Sequence, residues 1–155
     1  MSGPQIGDVI PAVKLQGADG AAIDLKAMKG APLVVYFYPK ADTPGCTVEA
    51  QDFTRLAPEF AHLNAQVVAV SRDAPAKLCK FRDKYGLTVR LASDEDGAVC
   101  EAFGTWVEKQ NYGRTYMGIE RSTFLFGADG KLAKEWRKVR VKGHAEAVLE
   151  AAKAL

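Results

Sequence analysis

Residues 33–49 carry most of the information about this chain and read LVVYFYPKADTPGCTVE. The run Leu33–Tyr38 is short, continuous and rich in β-branched and aromatic residues, which predicts a strand covered on both faces. A polar loop follows Pro39, and Thr43-Pro44 is typical of a helix start, with threonine at the cap and proline in the first turn. We therefore expect Cys46 in the first turn of a helix that directly follows a buried strand.

Two further apolar runs predict buried strands, and helical patterns lie between them. The predicted strands are 67–70 and 122–126, the predicted helices are 46–63, 73–85, 97–103 and 144–155, and the two GADG sequences at 17–20 and 127–130 predict tight turns. Pro58 should break the first helix, while Asp73 should cap the second and Gly86 should end it. The alternation of strands and helices favours a layered α/β fold with a mixed sheet.

Two segments give weaker signals. Trp106, Tyr112 and Tyr116 are assigned to a polar loop that could border a pocket, although ordinary packing is the simpler role. The stretch Arg137–Lys142 alternates basic residues with valines, which is typical of an exposed strand face.

Composition excludes several classes of protein. The chain has 155 residues, a formal charge of +2, 48% hydrophobic and 26% charged residues, so we expect one globular domain over residues 1–155. The near-neutral charge predicts no nucleic-acid partner, and no apolar run is long enough to cross a membrane. With no recognisable signal peptide, three cysteines do not indicate a disulfide framework, and a cytoplasmic location is expected.

Cys46 is the candidate reactive residue. A helix N-terminus favours an anion and hence the thiolate, the nucleophilic form of cysteine, and Gly45 lets a small substrate approach the backbone. A cysteine protease needs a histidine base, but neither His62 nor His144 lies in a segment directed at Cys46. The positions three residues before and after Cys46 hold threonine and glutamate, so there is no C-x-x-C pair. A lone activated thiolate with a nearby hydroxyl and a cation suits attack on a peroxide.

The pattern Pro39-x-x-x-Thr43-x-x-Cys46 matches the active-site motif of the peroxiredoxins. The surrounding residues resemble the bacterioferritin-comigratory-protein branch, also called peroxiredoxin Q. Residues 118–125 (GIERSTFL) are similar to the segment of that branch that carries its active-site arginine, and residues 136–144 also resemble it. The resemblance extends from about Gly7 to the final helix.

The resemblance implies a thioredoxin-like three-layer α/β fold with a mixed central sheet, an N-terminal β-hairpin extension and a C-terminal helix. It implies thiol peroxidase activity on hydrogen peroxide and small organic hydroperoxides, with Cys46 forming a sulfenic acid. Thr43 and Arg121 would bind the peroxide, Pro39 would shield the sulfenate and Glu49 would orient the arginine. No metal or organic cofactor is implied. Electrons would come from thioredoxin or a similar dithiol, and family analogy suggests a monomer.

The resolving step stays open in the sequence. Many members of the branch carry a resolving cysteine five residues after the peroxidatic one, where this chain has Gln51. Others carry it on the next helix, at a position that aligns near Arg82, one turn after Cys79. Cys79 is thus a candidate resolving residue, and direct reduction by an external thiol is the alternative. Cys100 lies among apolar residues and is expected in the core.

Two other functions would use the same thiol. A redox sensor would pass oxidation from Cys46 to a partner protein without appreciable turnover. A general disulfide reductase is less well supported, because the C-x-x-C motif is absent.

Overall fold

The computed structural model describes residues 3–155. Its nine strands are β1 Lys14–Gly17, β2 Ala22–Asp24, β3 Leu33–Phe37, β4 Gln66–Ser71, β5 Arg90–Ser93, β6 Trp106–Asn111, β7 Arg114–Ile119, β8 Ser122–Phe126 and β9 Leu132–Trp136. Its five α-helices are α1 Pro44–Arg55, α2 Ala57–His62, α3 Pro75–Tyr85, α4 Ala98–Ala102 and α5 His144–Lys153. A 3₁₀ turn spans Lys26–Met28. Within residues 3–155, no helix has the length and apolar character needed to cross a bilayer.

Seven strands form one mixed sheet in the order β2-β1-β5-β4-β3-β8-β9. The pairs β3–β4 and β4–β5 are parallel, whereas β3–β8 and β8–β9 are antiparallel. The predicted N-terminal hairpin, β1 and β2, extends the sheet beyond β5 at one edge. Both GADG sequences form tight turns as predicted, each closed by a backbone hydrogen bond of 2.9 Å from its last glycine to its first.

Strand β3 lies at the centre of the sheet, and all five of its residues are buried. Its side chains alternate between two cores, as the pleat of a strand requires. Val34 and Tyr36 pack in the core that α1, α2, α3 and α5 cover. Val35 and Phe37 pack in the core that contains α4 and the N-terminal segment. The chain therefore has the predicted three-layer, thioredoxin-like α/β fold.

The first predicted helix is interrupted close to the proline that the sequence singled out. Helix α1 ends at Arg55, and α2 begins at Ala57 with Pro58 in its first turn. Proline is tolerated at that position because an amide hydrogen in the first turn has no partner within the helix. The predicted break is thus confirmed, and it restricts the helix that carries Cys46 to one straight segment.

The second predicted helix ends as expected but begins differently. Gly86 adopts φ 60° and ends α3, as a left-handed C-terminal glycine does. The N-cap is Ala74, so the prediction that Asp73 caps this helix is wrong. The Asp73 carboxylate instead accepts hydrogen bonds of 2.8 Å from the Ala41 amide and the Ser71 hydroxyl. Asp73 thereby ties the loop before α1 to the loop before α3.

Two sequence interpretations are wrong. The supposed polar loop around Trp106 and Tyr112 is a two-stranded ribbon, β6–β7, closed by a turn in which Tyr112 and Gly113 both have positive φ. Arg137–Lys142 is not a strand, because β9 ends at Trp136 and Lys138 turns the backbone with φ 49°. The amide of Val139 donates to the Arg121 carbonyl at 2.9 Å. This loop therefore packs against the segment that carries the arginine.

Candidate active site

Cys46 lies in the first turn of α1, the helix that follows the central strand β3. Thr43 is the N-cap residue with extended backbone, Pro44 is the first helical residue, and the Thr47 amide donates to the Thr43 carbonyl at 2.9 Å. The Cys46 side chain is 2% exposed. Its Sγ accepts a hydrogen bond from Nη2 of Arg121 at 3.3 Å. The first turn of the helix and the guanidinium thus place two sources of positive charge at one sulfur.

Arg121 reaches the sulfur because of the strand register. Phe37, the last residue of β3, pairs with Ser122, the first residue of β8. Arg121 therefore stands beside the end of β3, at the edge of the sheet where α1 begins. A Cβ atom at Gly45 would approach Arg121 Nη2 to 3.3 Å, so a larger residue there would crowd the guanidinium.

Glu49 forms an ion pair with this arginine. Its Oε1 lies 2.6 Å from Arg121 Nη1, and its side chain is 1% exposed. Burial raises the pKa of Glu49 to about 7, while the attraction of Arg121 acts in the opposite direction. Glu49 Oε2 has no hydrogen-bond partner within residues 3–155. Glu49 Oε1 thus contacts Nη1 of Arg121, while Nη2 of the same guanidinium contacts the Cys46 sulfur.

Thr43 and Pro39 lie upstream of the cysteine. The Thr43 hydroxyl does not cap the helix but donates to the Lys40 carbonyl at 2.8 Å. The hydroxyl proton of Thr43 is therefore already used in a hydrogen bond, and the lone pairs of the oxygen remain available to accept one. Pro39 is exposed and follows the buried end of β3. The structure thus brings Cys46, Glu49 and Arg121 into direct contact, with Thr43 at the start of the same helix and Pro39 in the loop that precedes it.

Sequence reasoning also did not single out a lysine whose pKa is affected by the charges of this site. Lys109, on the β6–β7 ribbon, is half-buried, and burial lowers its pKa, with a further lowering from Arg121. The charge of Cys46 acts on the pKa of Lys109 in the opposite direction. The local signal in the sequence was Gly113, which accepts the positive φ of the second position in a two-residue hairpin turn.

The other two cysteines have different surroundings. Cys79 is partly exposed on α3, where Arg82 Nη2 donates to its sulfur at 3.2 Å and Asp83 lies 3.9 Å from it. All three cysteines are free, so Cys79 is not joined to Cys46 in this state. Cys100 is fully buried, as predicted, and burial raises the pKa of its thiol. Among residues 3–155, no cluster of three or more His, Cys, Asp or Glu side chains could hold a metal ion.

His144 gives the site a pH-dependent neighbour. Its ring is buried, its Nε2 lies 2.7 Å from the Thr123 hydroxyl, and burial, assisted by Arg121, lowers its pKa to about 4. Unfolding restores an ordinary pKa near 6.5, so between about pH 6.5 and pH 4 the unfolded chain binds more protons. The stability that the neutral ring contributes is therefore complete above pH 6.5 and is lost as the pH falls towards 4.

We expect His144→Gln to remove this loss. Between pH 7 and pH 4 the free energy of unfolding of the wild type should fall by about 2 kcal/mol more than that of the variant. Urea unfolding at both pH values measures the difference, with His62→Gln at an exposed histidine as the matched control. Glu49 also makes the free energy of unfolding depend on pH, but this contribution is the same in all three proteins and cancels in the comparison. Equal pH dependence of the wild type and His144→Gln would contradict the assignment.

Comparisons with known proteins find relatives along most of this chain. A sequence profile of the AhpC/TSA family matches residues 6–135. Peroxiredoxin Bcp of Bacillus subtilis is 46% identical over 149 residues, which cover 96% of this chain and 95% of that protein. Peroxiredoxin Bcp of Xanthomonas campestris is 49% identical over 135 residues, which cover 87% of this chain and 84% of that protein.

Solved structures show the same likeness. A structure of the Xanthomonas campestris bacterioferritin comigratory protein, described in connection with alkyl peroxide reduction, superposes with a TM-score of 0.89 and 45% identity. The superposition covers 95% of this chain and 98% of the Xanthomonas campestris chain. A cysteine-to-serine mutant of Xylella fastidiosa PrxQ gives a TM-score of 0.93 and 40% identity, with 99% and 98% covered. These likenesses favour a peroxidase over the redox-sensor alternative.

Proposed function

We propose that the site at the start of α1 is the active site of this chain. The chain belongs to the AhpC/TSA family and is a thiol-dependent peroxidase of the peroxiredoxin class. Cys46 is the residue that the peroxide oxidises. The observation that carries this proposal is the 3.3 Å contact between Arg121 Nη2 and Cys46 Sγ at the first turn of a helix. The contact places a positive charge beside the sulfur, and the thiolate is the form of cysteine that attacks.

The oxidation step follows from these groups. The Cys46 thiolate attacks one peroxide oxygen, the O–O bond breaks, and the sulfur becomes a sulfenic acid while the alkoxide or hydroxide that leaves takes up a proton. The Arg121 guanidinium stabilises the negative charge as it moves from sulfur to the leaving oxygen. Thr43 accepts a hydrogen bond from the peroxide O–H, because its own proton is directed to the Lys40 carbonyl.

Three groups support the step without reacting. Glu49 keeps the Arg121 guanidinium in place through the 2.6 Å ion pair. Pro39 covers the sulfenate from the solvent side, and its exposed position in the loop before α1 agrees with that role. Hydrogen peroxide and small organic hydroperoxides are the substrates. No metal or organic cofactor takes part in this proposal, because the chemistry is carried by the sulfur.

The reductant and the setting are part of the same proposal. Thioredoxin or a similar dithiol protein returns the sulfenic acid to the thiol, and the chain acts as a monomer in the cytoplasm, where thiol reductants keep cysteines reduced. We propose that residues 1–155 form one domain, because both cores share the central sheet. Nucleic acids and membranes are not partners in this proposal.

The identity of the resolving thiol is tested by intact mass. After one equivalent of hydrogen peroxide, resolution by Cys79 should remove two hydrogens from the wild type, because a disulfide with Cys46 forms. Cys79→Ser should instead gain one oxygen, as a sulfenic acid. If both proteins gain one oxygen and lose no hydrogens, an external thiol resolves Cys46 directly. Unchanged masses of both proteins would contradict the oxidation of Cys46 itself.

A further inference from the structure

An open apolar groove lies between α1 and the loop that follows β9. Pro44, Gly45 and Val48 line one side of this groove, and Val141 lines the other. Val48 is 47% exposed, although the residues directly before and after it in α1 are buried. Exposed apolar surface with a polar rim is typical of a site that contacts another molecule. We call the surface formed by these four residues the α1 groove.

The α1 groove begins beside the reacting sulfur. A Cβ atom at Gly45 would lie 3.3 Å from Nη2 of Arg121, and the same nitrogen lies 3.3 Å from Cys46 Sγ. The loop on the other side of the groove is joined to the same arginine, because the Val139 amide donates to the Arg121 carbonyl at 2.9 Å. The Cys46 side chain is 2% exposed, so a protein that acts on this sulfur must be held by the surface around it.

The loop beside the α1 groove carries three basic residues, which we call the loop cations: Lys138, Arg140 and Lys142. All three are exposed, and within residues 3–155 their side chains have no hydrogen bond or ion pair. The two carboxylates at the other end of the groove, Asp52 and Glu146, share Arg55 at 3.5 Å and 2.7 Å. The loop cations are therefore free to attract carboxylates of a partner.

We propose that the α1 groove and the loop cations are the docking surface for a dithiol protein whose reactive thiols are surrounded by acidic side chains. The inference rests on the proposed role of Cys46 and names the kind of protein that reduces it. One thiol of the partner attacks the sulfur of the Cys46 sulfenic acid, the S–O bond breaks, and the oxygen leaves as water. The second thiol then attacks the mixed disulfide, so Cys46 returns to the thiol and the partner becomes a disulfide. A disulfide between Cys46 and Cys79 is reduced by the same two exchanges, with the Cys79 thiol leaving first.

The surface fits an acidic protein better than a second copy of this chain. A two-fold dimer through the α1 groove would bring the loop cations of both copies to one interface, where like charges repel. A small apolar contact gives weak binding, while opposite charges speed the encounter. This combination suits a reductant that must arrive and leave in every catalytic cycle.

The triple variant Lys138→Gln/Arg140→Gln/Lys142→Gln tests the charge, and Val48→Asp tests the groove. Each should raise the KM for a thioredoxin with an acidic surface by about tenfold at low ionic strength, because attraction is lost or repulsion is added. For the triple variant, this difference from the wild type should shrink to about twofold in roughly 0.5 M salt. Peroxide consumption is measured with the thioredoxin and with dithiothreitol, so that the ratio of the two rates reports docking. Melting temperatures check that the variants are folded.

The matched control is Lys14→Gln/Lys29→Gln/Lys131→Gln, which removes the same charge from three exposed lysines outside the α1 groove. It should keep the ratio of the wild type. Equal KM values for the control and the loop-cation variant would overturn the inference, and so would rates that fall equally with thioredoxin and dithiothreitol. A wild-type dimer that Val48→Asp dissociates would also overturn it, because the groove would then join two copies of this chain.

Two further results separate this inference from the proposed function. Slower oxidation of the loop-cation variant by an anionic hydroperoxide, with an unchanged KM for thioredoxin, would overturn the docking surface and assign the cations to the substrate. A wild type that dithiothreitol reduces but the thioredoxin does not would overturn the docking surface and leave the peroxidase role of Cys46 intact. Failure of Cys46 to oxidise in the wild type would instead refute the proposed function.

Discussion

Cys46→Ser is expected to abolish thiol-dependent peroxide consumption, a loss of about 10³-fold or more. Serine keeps the size of the side chain, but its hydroxyl does not ionise at neutral pH and is a poor nucleophile without a base. The ring of His144 is not placed to serve as that base, because its Nε2 is bonded to the Thr123 hydroxyl. Consumption of hydrogen peroxide in the presence of dithiothreitol measures the effect.

Two cysteine variants make this result interpretable. Cys79→Ser should retain the first oxidation of Cys46, because Cys79 contacts Arg82 and Asp83 rather than the reacting sulfur. Cys100→Ala should also retain it, since Cys100 lies in the core on the other face of the sheet. Peroxide consumption that survives in Cys46→Ser but disappears in either of the others would show that a different sulfur reacts.

Arg121→Gln is expected to lower the rate constant for oxidation of Cys46 by about 10² to 10³-fold, the usual effect of removing a group that stabilises developing negative charge. Glutamine approximates the reach of the side chain but removes the guanidinium charge from beside the thiolate and the departing oxygen. Stopped-flow measurement of peroxide consumption in a single turnover gives the rate constant. A rate constant within threefold of the wild type would contradict the assigned role.

Glu49→Gln separates position from charge. The variant retains a hydrogen-bond acceptor for Arg121 but loses the ion pair, so we expect an intermediate loss of about tenfold. In Arg121→Gln the buried Glu49 loses the positive charge that lowers its pKa. The carboxyl should therefore become protonated, and the variant should stay folded. Melting temperatures of both variants check that the fold is intact. A larger effect from Glu49→Gln than from Arg121→Gln would contradict this order.

The parts of the fold that sequence predicted correctly are those with a strong local signal. Strands β3 and β8 are buried on both faces, so their continuous apolar runs identify them. The start of α1 was predictable because Thr43 and Pro44 have preferences that act over one turn. The position of Cys46 in the first turn follows from that start.

The missed parts depend on tertiary contacts or on a turn signal that was overlooked. Most residues of the β6–β7 ribbon are polar and exposed, so no apolar run marked them as strands. The valine alternation after Trp136 imitated a strand, but Val139 bonds to the Arg121 carbonyl instead.

The contacts at the site also arise far apart in the sequence. The resemblance to peroxiredoxins supplied the pairing of Glu49 with Arg121, because their approach depends on the register of β3 against β8. The contacts of Asp42 with Lys84 and Tyr85 had no signal at all, since an aspartate in a loop and a lysine at a helix end are ordinary residues at such places.

The most direct test of the central claim uses the variant Cys79→Ser/Cys100→Ala, in which Cys46 is the only cysteine. The rate of its reaction with one equivalent of hydrogen peroxide is measured by stopped flow, and the modified residue is located by peptide mass spectrometry. We predict one oxygen on Cys46, added about 10² to 10³-fold faster than to free cysteine at the same pH, or faster still. A rate equal to that of free cysteine, or an oxygen on another residue, would contradict the claim.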